Sequence, residues 1–144
     1  MAASSVTCTI APKVLEDVEQ FRLQKPSANM QVYVAKIDRV NHTVVHDETF
    51  EDIGFDELVE ELPDDAPRYV IVSYRFVHDD GRVSYPLVFV YYCPQTSAMP
   101  ARMLYASTQQ LFEKVAHLGK SYMLQDKTHF NKEWLESNLN KFAS

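Results

Sequence analysis

The chain has 144 residues, of which 46% are hydrophobic and 24% are charged, and its formal net charge is −6. This length suits one domain with one core, and the acidic balance disfavours a dedicated nucleic-acid-binding protein, which is usually basic. No apolar run approaches the roughly 18–20 residues that a membrane span needs. The first residues lack the basic and apolar regions of a secretory signal, so we expect a cytoplasmic protein.

The two cysteines support the same compartment. Cys8 and Cys93 lie far apart without CxxC spacing, which is typical of reduced thiols. Cys93 follows an apolar segment and precedes Pro94; a buried structural thiol is favoured there, with a nucleophile as the alternative. Residues 1–8 are small and polar and predict a flexible N-terminal tail, which leaves residues 9–143 as a single domain.

Hydrophobic periodicity and turn residues divide the rest of the chain into nine elements. Their order, α-β-β-α-β-β-α-β-α, predicts an α/β (α+β) fold in which a mixed β-sheet is sandwiched between helices on both faces. The segment 29–38 alternates and predicts a strand with a covered face. The predicted elements are helix 11–25, strands 29–38 and 43–47, helix 54–62, strands 68–78 and 83–92, helix 99–118, strand 121–126 and helix 132–142.

A charged turn joins the two central strands. The runs VIV (70–72) and LVFVYY (87–92) are apolar throughout, which is typical of strands covered on both faces. Between them, Asp80-Gly81 predicts a two-residue type I′ turn, with positive φ at both positions. Pro86 cannot donate to a strand ladder, so it predicts a bulge or an unpaired stretch.

The longest predicted helix has two faces when its residues are placed at 100° steps. An apolar arc is formed by Leu104, Thr108, Leu111, Phe112, Val115 and Leu118. The opposite side carries Arg102, Gln109 and Glu113, and the border between the two faces carries Met103, Gln110 and Lys114.

Familiar catalytic patterns are missing from the sequence. There is no Gly-rich phosphate loop and no GxSxG elbow. Neighbouring residues of a strand point to opposite faces, so His46-Asp47-Glu48 and His78-Asp79-Asp80 predict solvated residues rather than metal ligands. The strand aromatics predict core packing, with an RNA-binding platform as an alternative that the acidic charge weakens. We therefore expect no cofactor or metal, and a binding module rather than an enzyme.

Three stretches carry a resemblance. ELPDDAPRYVIVSYRF (61–76), HDDGRVSYPLVFVYYCP (78–94) and ARMLYASTQQL (101–111) are similar, in order and spacing, to the actin-depolymerising-factor homology domain of the cofilin family. HDDGRVSYPL, the ELP…PR segment and EWL (133–135) most resemble the glia maturation factor branch. The resemblance covers about residues 5–142. It implies a mixed sheet flanked by helices, in agreement with the predicted order of elements.

The resemblance also implies a function. Glia maturation factors bind the actin-related protein 2/3 complex, inhibit its nucleation of actin and promote debranching of filaments. The chain is then expected to be a monomer in the cytoplasmic cytoskeleton, at the cell cortex and at branched actin such as lamellipodia, with the nucleus as an alternative location. Actin at the branch junction is expected as a second partner. A cofilin-like factor that binds actin monomers and filaments and severs them is the alternative, and an enzyme acting on a small molecule is the alternative from another class.

Carried over by position, the resemblance implies two partner-binding surfaces. The first joins the tail to the front of the long helix and comprises Ser4, Ser5, Arg102, Met103, Ser107, Gln110 and Lys114. The second joins the hairpin to the last helix and comprises His78, Asp79, Asp80, Gly81, Arg82, Lys132 and Glu136. Phosphorylation of Ser4 or Ser5 is a further hypothesis. Gln109 stands where both branches commonly carry Lys, so one charged contact of the long helix is expected to be missing.

Overall fold

Residues 8–24, 30–119 and 121–143 are described by the computed structural model, without the side chains of 140–143. The described residues form eight β-strands, four α-helices and one short 3-10 helix, Lys127–His129, which precedes the last α-helix. The strands are β1 Thr9–Ile10, β2 Met30–Asp38, β3 Thr43–Ile53, β4 Arg68–Ser73, β5 Phe76–Val77, β6 Val83–Ser84, β7 Leu87–Tyr92 and β8 Ser121–Leu124. The helices are α1 Pro12–Leu23, α2 Phe55–Glu61, α3 Met99–Val115 and α4 Lys132–Ala143.

Six of the strands form one sheet in the order β1-β3-β2-β4-β7-β8. The pairs β1–β3 and β7–β8 are parallel and the other pairs are antiparallel. Strands β5 and β6 form a separate two-stranded hairpin. The expected mixed sheet is confirmed. The two-residue strand β1 was not predicted, because two residues are too short to show a period.

Helices cover both faces of the sheet and create two cores. Strand β2 shows why: Tyr33 and Ile37 pack with α1 and α3 on one face, while Val32 and Val34 pack with α2 and α4 on the other. The predicted covered face, with Met30, Val32 and Val34, is confirmed, and the opposite face of this strand is covered as well. Aromatic side chains fill the first core, where Tyr69 lies 5.3 Å from Phe112, measured between ring centroids.

Strand β3 is longer than the predicted 43–47 and is interrupted twice. Its register against β2 shifts between Val34 and Ala35 and again between Met30 and Val32. Each shift is a bulge, which bends the strand and increases its twist. Strand β1 pairs only with Thr43 and Val44. Beyond Val44, the outer edge of β3 has no strand partner in the described part of the chain.

The two long central strands are each broken once. Strand β4 ends at Ser73 and β7 begins at Leu87, so the predicted continuous strands 68–78 and 83–92 were wrong. The predicted unpaired stretch at Pro86 is confirmed, since this residue lies between β6 and β7. Its carbonyl accepts a 3.2 Å hydrogen bond from the N–H of Tyr74, which holds the two breaks side by side.

The turn between β5 and β6 differs from the predicted type I′ turn. The N–H of Gly81 donates to the carbonyl of His78 at 2.9 Å, and the N–H of His78 donates to the carbonyl of Arg82 at 2.8 Å. Gly81 has φ of 90°, whereas Asp80 does not have positive φ. This pattern is a three-residue loop, in which a type I turn is followed by a left-handed glycine that forms a bulge.

Both ends of the domain are fixed by specific contacts. The N–H of Cys8 donates to the Thr108 hydroxyl on α3, and Cys8 is buried, so this last residue of the predicted tail packs with the domain. The rest of the tail lies outside the described residues. At the other end, the Asn131 side chain accepts from the N–H of Trp134 at 2.9 Å and caps α4.

Candidate partner-binding surfaces

Helix α3 is rotated relative to the predicted apolar arc. Its buried residues are Ala101, Tyr105, Thr108 and Phe112. Leu104 and Leu111 are only half-buried, and Val115 is 37% exposed. Tyr105 directs this rotation, because its hydroxyl accepts from the N–H of Ile37 at 2.8 Å and its carbonyl accepts from the hydroxyl of Tyr69 at 2.5 Å.

The rotation changes the interpretation of the first surface. Met103, Gln110 and Lys114 lie along the centre of the exposed face of α3, not on its border as predicted. Met103 is 55% exposed. Arg102 and Ser107, both half-buried, flank this line on its two sides. The structure thus brings the five helical residues of the predicted first surface together, while Ser4 and Ser5 lie outside the described residues.

Gln109 and Glu113 do not belong to that exposed face. The Gln109 amide donates to the hydroxyl of Ser121 on β8, and this hydroxyl donates to Glu113 at 3.2 Å. The prediction that these two residues lie opposite the apolar arc was wrong. The Gln109 amide therefore ties α3 to strand β8 of the sheet. The Gln109 side chain points away from the line formed by Met103, Gln110 and Lys114.

The C-terminal end of α3 is closed by Arg22 and His117. The guanidinium of Arg22 donates to the carbonyls of Ala116 at 2.7 Å and His117 at 3.3 Å. His117 has φ of 55°, and the next N–H, that of Leu118, reaches the carbonyl of Glu113 at 2.9 Å. This is a Schellman motif, with histidine in the position that glycine usually occupies. The cap holds the Lys114 end of the exposed face in place.

Two charges at the tip of the hairpin, those of Asp80 and Arg82, pair with each other within the turn. The guanidinium of Arg82 pairs with Asp80 at 2.8 Å, and the backbone N–H of Arg82 donates to the same carboxylate at 3.0 Å. These hydrogen bonds, that of the backbone first, lower the pKa of Asp80 below its ordinary value. His78 shares a 2.8 Å hydrogen bond with Ser84, and its ring lies 4.7 Å from that of Phe76.

The hairpin also exposes apolar side chains that sequence reasoning missed. Val77 and Val83 are directly opposite each other in the β5–β6 register. They are 50% and 40% exposed. Strand alternation could have revealed this pair, since Phe76 is buried and its neighbour must then point outward.

A groove joins the base of the hairpin to α4. It has a volume of about 440 Å³. Its lining comprises Met30, Ile53, Gly54, Phe55, Tyr74, Arg75, Val77, Lys132 and Glu136. The hydroxyl of Tyr74 donates to Glu136 across this groove. Burial and this hydrogen bond raise the pKa of Tyr74. Lys132 and Glu136 therefore lie next to the base of the hairpin, whereas the tip residues 79–82 do not line the groove.

The two candidate surfaces lie on opposite sides of the sheet. Helix α3 packs on the core that contains Tyr69 and Phe89, whereas α4 and the hairpin pack on the core that contains Val70 and Phe76. A partner that contacts both surfaces must therefore reach around the domain or contribute two separate parts.

Other kinds of site were searched for in the described residues. No helix among them is long and apolar enough to cross a bilayer. They contain no group of three or more His, Cys, Asp or Glu side chains arranged for a metal ion. A cavity of about 900 Å³ lies at the ends of β7 and β8, and one side of it carries the exposed ion pair of Lys127 and Asp64, 2.7 Å apart.

Comparison with known proteins defines the class. The sequence profile described as "Cofilin/tropomyosin-type actin-binding protein" matches residues 7–140. The chain therefore belongs to the cofilin-type family of actin-binding proteins, as the fold and the exposed long helix indicate.

Relatives place the chain more narrowly within that family. It is 40% identical to the glia maturation factor of Drosophila melanogaster over 132 residues, which cover 92% of this chain and 95% of the relative. It is 37% identical to human glia maturation factor beta over 142 residues, 99% of each chain. These matches confirm the glia maturation factor branch that the sequence motifs indicated.

Solved structures of related proteins support the same family assignment. The glia maturation factor of Caenorhabditis elegans superposes with a TM-score of 0.79 at 35% identity, over 95% of this chain and 99% of that one. Plasmodium berghei actin depolymerization factor 2 superposes with a TM-score of 0.78 at 18% identity, over 96% and 99%. The second match shows the fold alone. Together the comparisons define an actin-regulatory protein of the glia maturation factor type.

Proposed function

We propose that the protein binds the actin-related protein 2/3 complex, inhibits its nucleation of actin and promotes debranching of actin filaments in the cytoplasmic cytoskeleton. The observation that carries the proposal is the exposed face of α3, where Met103, Gln110 and Lys114 form one continuous line. The sequence relationship to glia maturation factors supports this partner over others.

The chemistry of this face suits a groove between two subdomains of an actin-like partner. Met103 is flexible and polarisable, so it adapts to an irregular apolar cleft. Lys114 has no ion-pair partner among the described residues, and its ammonium group can pair with an acidic rim. Arg102 extends the positive charge along the flank of the helix.

We include the N-terminal tail in this surface. The N–H of Cys8 donates to the hydroxyl of Thr108 in the middle of α3, so the chain enters the domain beside this helix. Ser4 and Ser5 are assigned to the surface from the family resemblance.

The second surface distinguishes the proposal from cofilin-like severing. The corresponding side of cofilins is rich in lysine, whereas the hairpin from His78 to Arg82 contains none. The guanidinium of Arg82 is already paired with Asp80. Weak positive charge at the tip disfavours binding along an ordinary filament.

Debranching follows from differential binding. A ligand that prefers one conformation of the complex shifts its population towards that conformation. If the preferred conformation holds the daughter filament less tightly, binding weakens the branch junction. The same preference, acting before a branch forms, lowers nucleation.

Fluorescence microscopy of branched filaments tests the proposal. We expect micromolar protein to shorten branch lifetime and to slow actin assembly stimulated by the complex. Unchanged branch lifetime at that concentration would show that the proposal is wrong. Cosedimentation with unbranched filaments tests the cofilin-like alternative, for which strong binding and filament shortening are expected.

A further inference from the structure

The sulfur-containing side chains of the described residues fall into two groups. Cys8, Cys93 and Met30 are buried, with at most 3% of each residue exposed. Burial raises the pKa of the Cys8 thiol, and a neutral thiol reacts slowly because the thiolate is the nucleophile. The second group is exposed and consists of thioethers, those of Met99, Met103 and Met123. An oxidant in solution therefore meets methionine rather than cysteine on this part of the chain.

Two of the exposed methionines lie one turn apart on α3. Met99 and Met103 are 61% and 55% exposed, and their i, i+4 spacing makes their side chains neighbours. At 100° per residue they share an arc of about 60° with Gln110 and Lys114, so Met99 extends the line on the exposed face. Met123 lies elsewhere, on β8, in a cavity to which α3 contributes no lining residue.

A thioether needs no deprotonation to react with hydrogen peroxide. The sulfur attacks one peroxide oxygen, so that an S–O bond forms while the O–O bond breaks. The sulfur loses two electrons, the proton of the transferred oxygen moves to the other oxygen, and that oxygen leaves as water. The product, methionine sulfoxide, is polar and chiral, and two sulfoxide reductases, one for each epimer, reverse the reaction.

We propose that Met99 and Met103 form a reversible oxidation site, at which hydrogen peroxide converts the thioethers to sulfoxides and thereby releases the protein from its partner. The inference rests on the proposed function and adds a regulation of its first surface. Met103 lies at the centre of the exposed face, where a thioether suits an apolar cleft. A sulfoxide buried there without a hydrogen-bond partner costs free energy, so the oxidised helix binds more weakly.

Tryptic peptides report the oxidation of each methionine separately. Cleavage after Lys and Arg, except before Pro, places Met99 in peptide 83–102 and Met103 in peptide 103–114. Met123 falls in peptide 121–127 and Met30 in peptide 23–36. Mass spectrometry then measures the gain of one oxygen atom in each peptide. The peroxide dose is set so that the peptide of the buried Met30 stays unmodified and the core stays intact.

The affinity of treated and untreated protein for purified actin-related protein 2/3 complex tests the proposal. Fluorescence anisotropy should show that the dissociation constant rises about tenfold or more when the pair is oxidised. Treatment with both sulfoxide reductases and a dithiol should restore the original value. Circular dichroism and thermal unfolding check that the oxidised protein remains folded.

Leucine variants assign the effect to the pair. Leucine matches the volume and helix preference of methionine but cannot form a sulfoxide. The affinity of Met99→Leu combined with Met103→Leu is compared with that of the same variant before treatment, and peroxide should leave it unchanged. Met123→Leu is the matched control. It retains the pair and should lose as much affinity on oxidation as the wild-type protein does.

The outcomes distinguish the inference from the proposed function. If the untreated protein binds the complex and binds equally well once peptides 83–102 and 103–114 carry the oxygen, the inference is wrong and the proposed function stands. The inference is also wrong if the paired leucine variant loses affinity on oxidation, or if Met123→Leu does not. If the untreated wild-type protein does not bind the complex, the proposed function is wrong and the inference with it.

Discussion

The backbone N–H of Cys8 donates a 3.0 Å hydrogen bond to the hydroxyl of Thr108, which lies 100 positions later in the chain. Both residues are buried, and the bond holds the start of the domain against the middle of α3. Cys8 is therefore tied to the buried face of the helix whose other face carries Met103, Gln110 and Lys114.

Replacing Thr108 with Val tests this bond. Valine keeps the shape of threonine but leaves the buried N–H of Cys8 without its partner, so we expect a loss of about 1–3 kcal/mol in the free energy of unfolding. Hydrogen exchange at the Cys8 amide should become about fivefold or more faster, since 1.4 kcal/mol is a factor of ten. Thr108→Ser is the matched control. It removes a methyl group but keeps the hydroxyl, and protection at Cys8 should be retained.

Replacing His117 with Gly is expected to stabilise the protein. His117 adopts the left-handed conformation at the end of α3, which costs a side chain roughly 1–2 kcal/mol, and glycine avoids this cost but loses part of the gain as chain entropy. The expected net increase in the free energy of unfolding is about 0.5–1 kcal/mol, measured by urea denaturation. His129→Gly is the control, because His129 lacks positive φ, and it should destabilise. A destabilised His117→Gly variant would contradict the prediction.

Asp17 should make stability depend on pH in the acid range. Partial burial favours its neutral form, but hydrogen bonds from Lys13 and from the hydroxyl of Tyr33 favour the carboxylate more, and the pKa of Asp17 falls below 3.8. A lowered pKa in the folded state contributes stability that is present above the unfolded pKa and is lost as pH falls through the folded pKa. The stability difference between the wild-type protein and Asp17→Asn should therefore be constant above about pH 5 and shrink below about pH 4.

The sequence predicted the arrangement of helices and strands because apolar periodicity is local, but it could not predict the rotation of α3. Leu104, Leu111 and Val115 looked central because they are aliphatic. Tyr105 is central instead, because its hydroxyl binds the N–H of Ile37 on a strand far away in sequence. The apolar flank of the hairpin was overlooked because the predicted strands 68–78 and 83–92 were continuous. Strands β5 and β6 instead form a separate hairpin, on which Val77 and Val83 are exposed.

The type of the turn between β5 and β6 also could not be predicted from the local sequence pattern. Asp80-Gly81 is compatible with a two-residue or a three-residue loop. The choice depends on the register of Val77 with Val83 and on the Asp80 side chain, which accepts from the N–H of Arg82. The prediction of a type I′ turn considered only the Asp80-Gly81 dipeptide. The hydrogen bond from the N–H of Arg82 to the Asp80 side chain favours the three-residue loop instead.

Replacing Arg102 and Lys114 together with Ala is expected to weaken binding to the actin-related protein 2/3 complex. Each lost charge pair at an interface rim costs about 1 kcal/mol, so the dissociation constant should rise about tenfold to thirtyfold in low salt. Binding by the variant should be no more sensitive to salt than that of the wild-type protein, because it retains fewer charge pairs to be screened. Fluorescence anisotropy at two ionic strengths gives both values. The Arg39→Ala variant serves as the control and should bind as the wild-type protein does.

Replacing Ser4 and Ser5 with Glu tests the phosphorylation hypothesis. Negative charge next to an acidic partner groove opposes binding, so the double variant should bind the complex several-fold more weakly, with debranching reduced in parallel. Ser4→Ala with Ser5→Ala is the matched control and should bind normally. Equal affinity of the two double variants would exclude a role for charge at these positions.

The bulges of β3 also bear on self-association of the protein. An exposed strand edge is a template on which another chain can add a strand, and a straight apolar edge invites polymerisation. Beyond Val44 this edge is kinked twice and carries Glu48, Glu51 and Asp52. The kinks spoil the ladder and the acids repel a second identical edge. This edge is therefore protected against the addition of a strand from another copy of the chain.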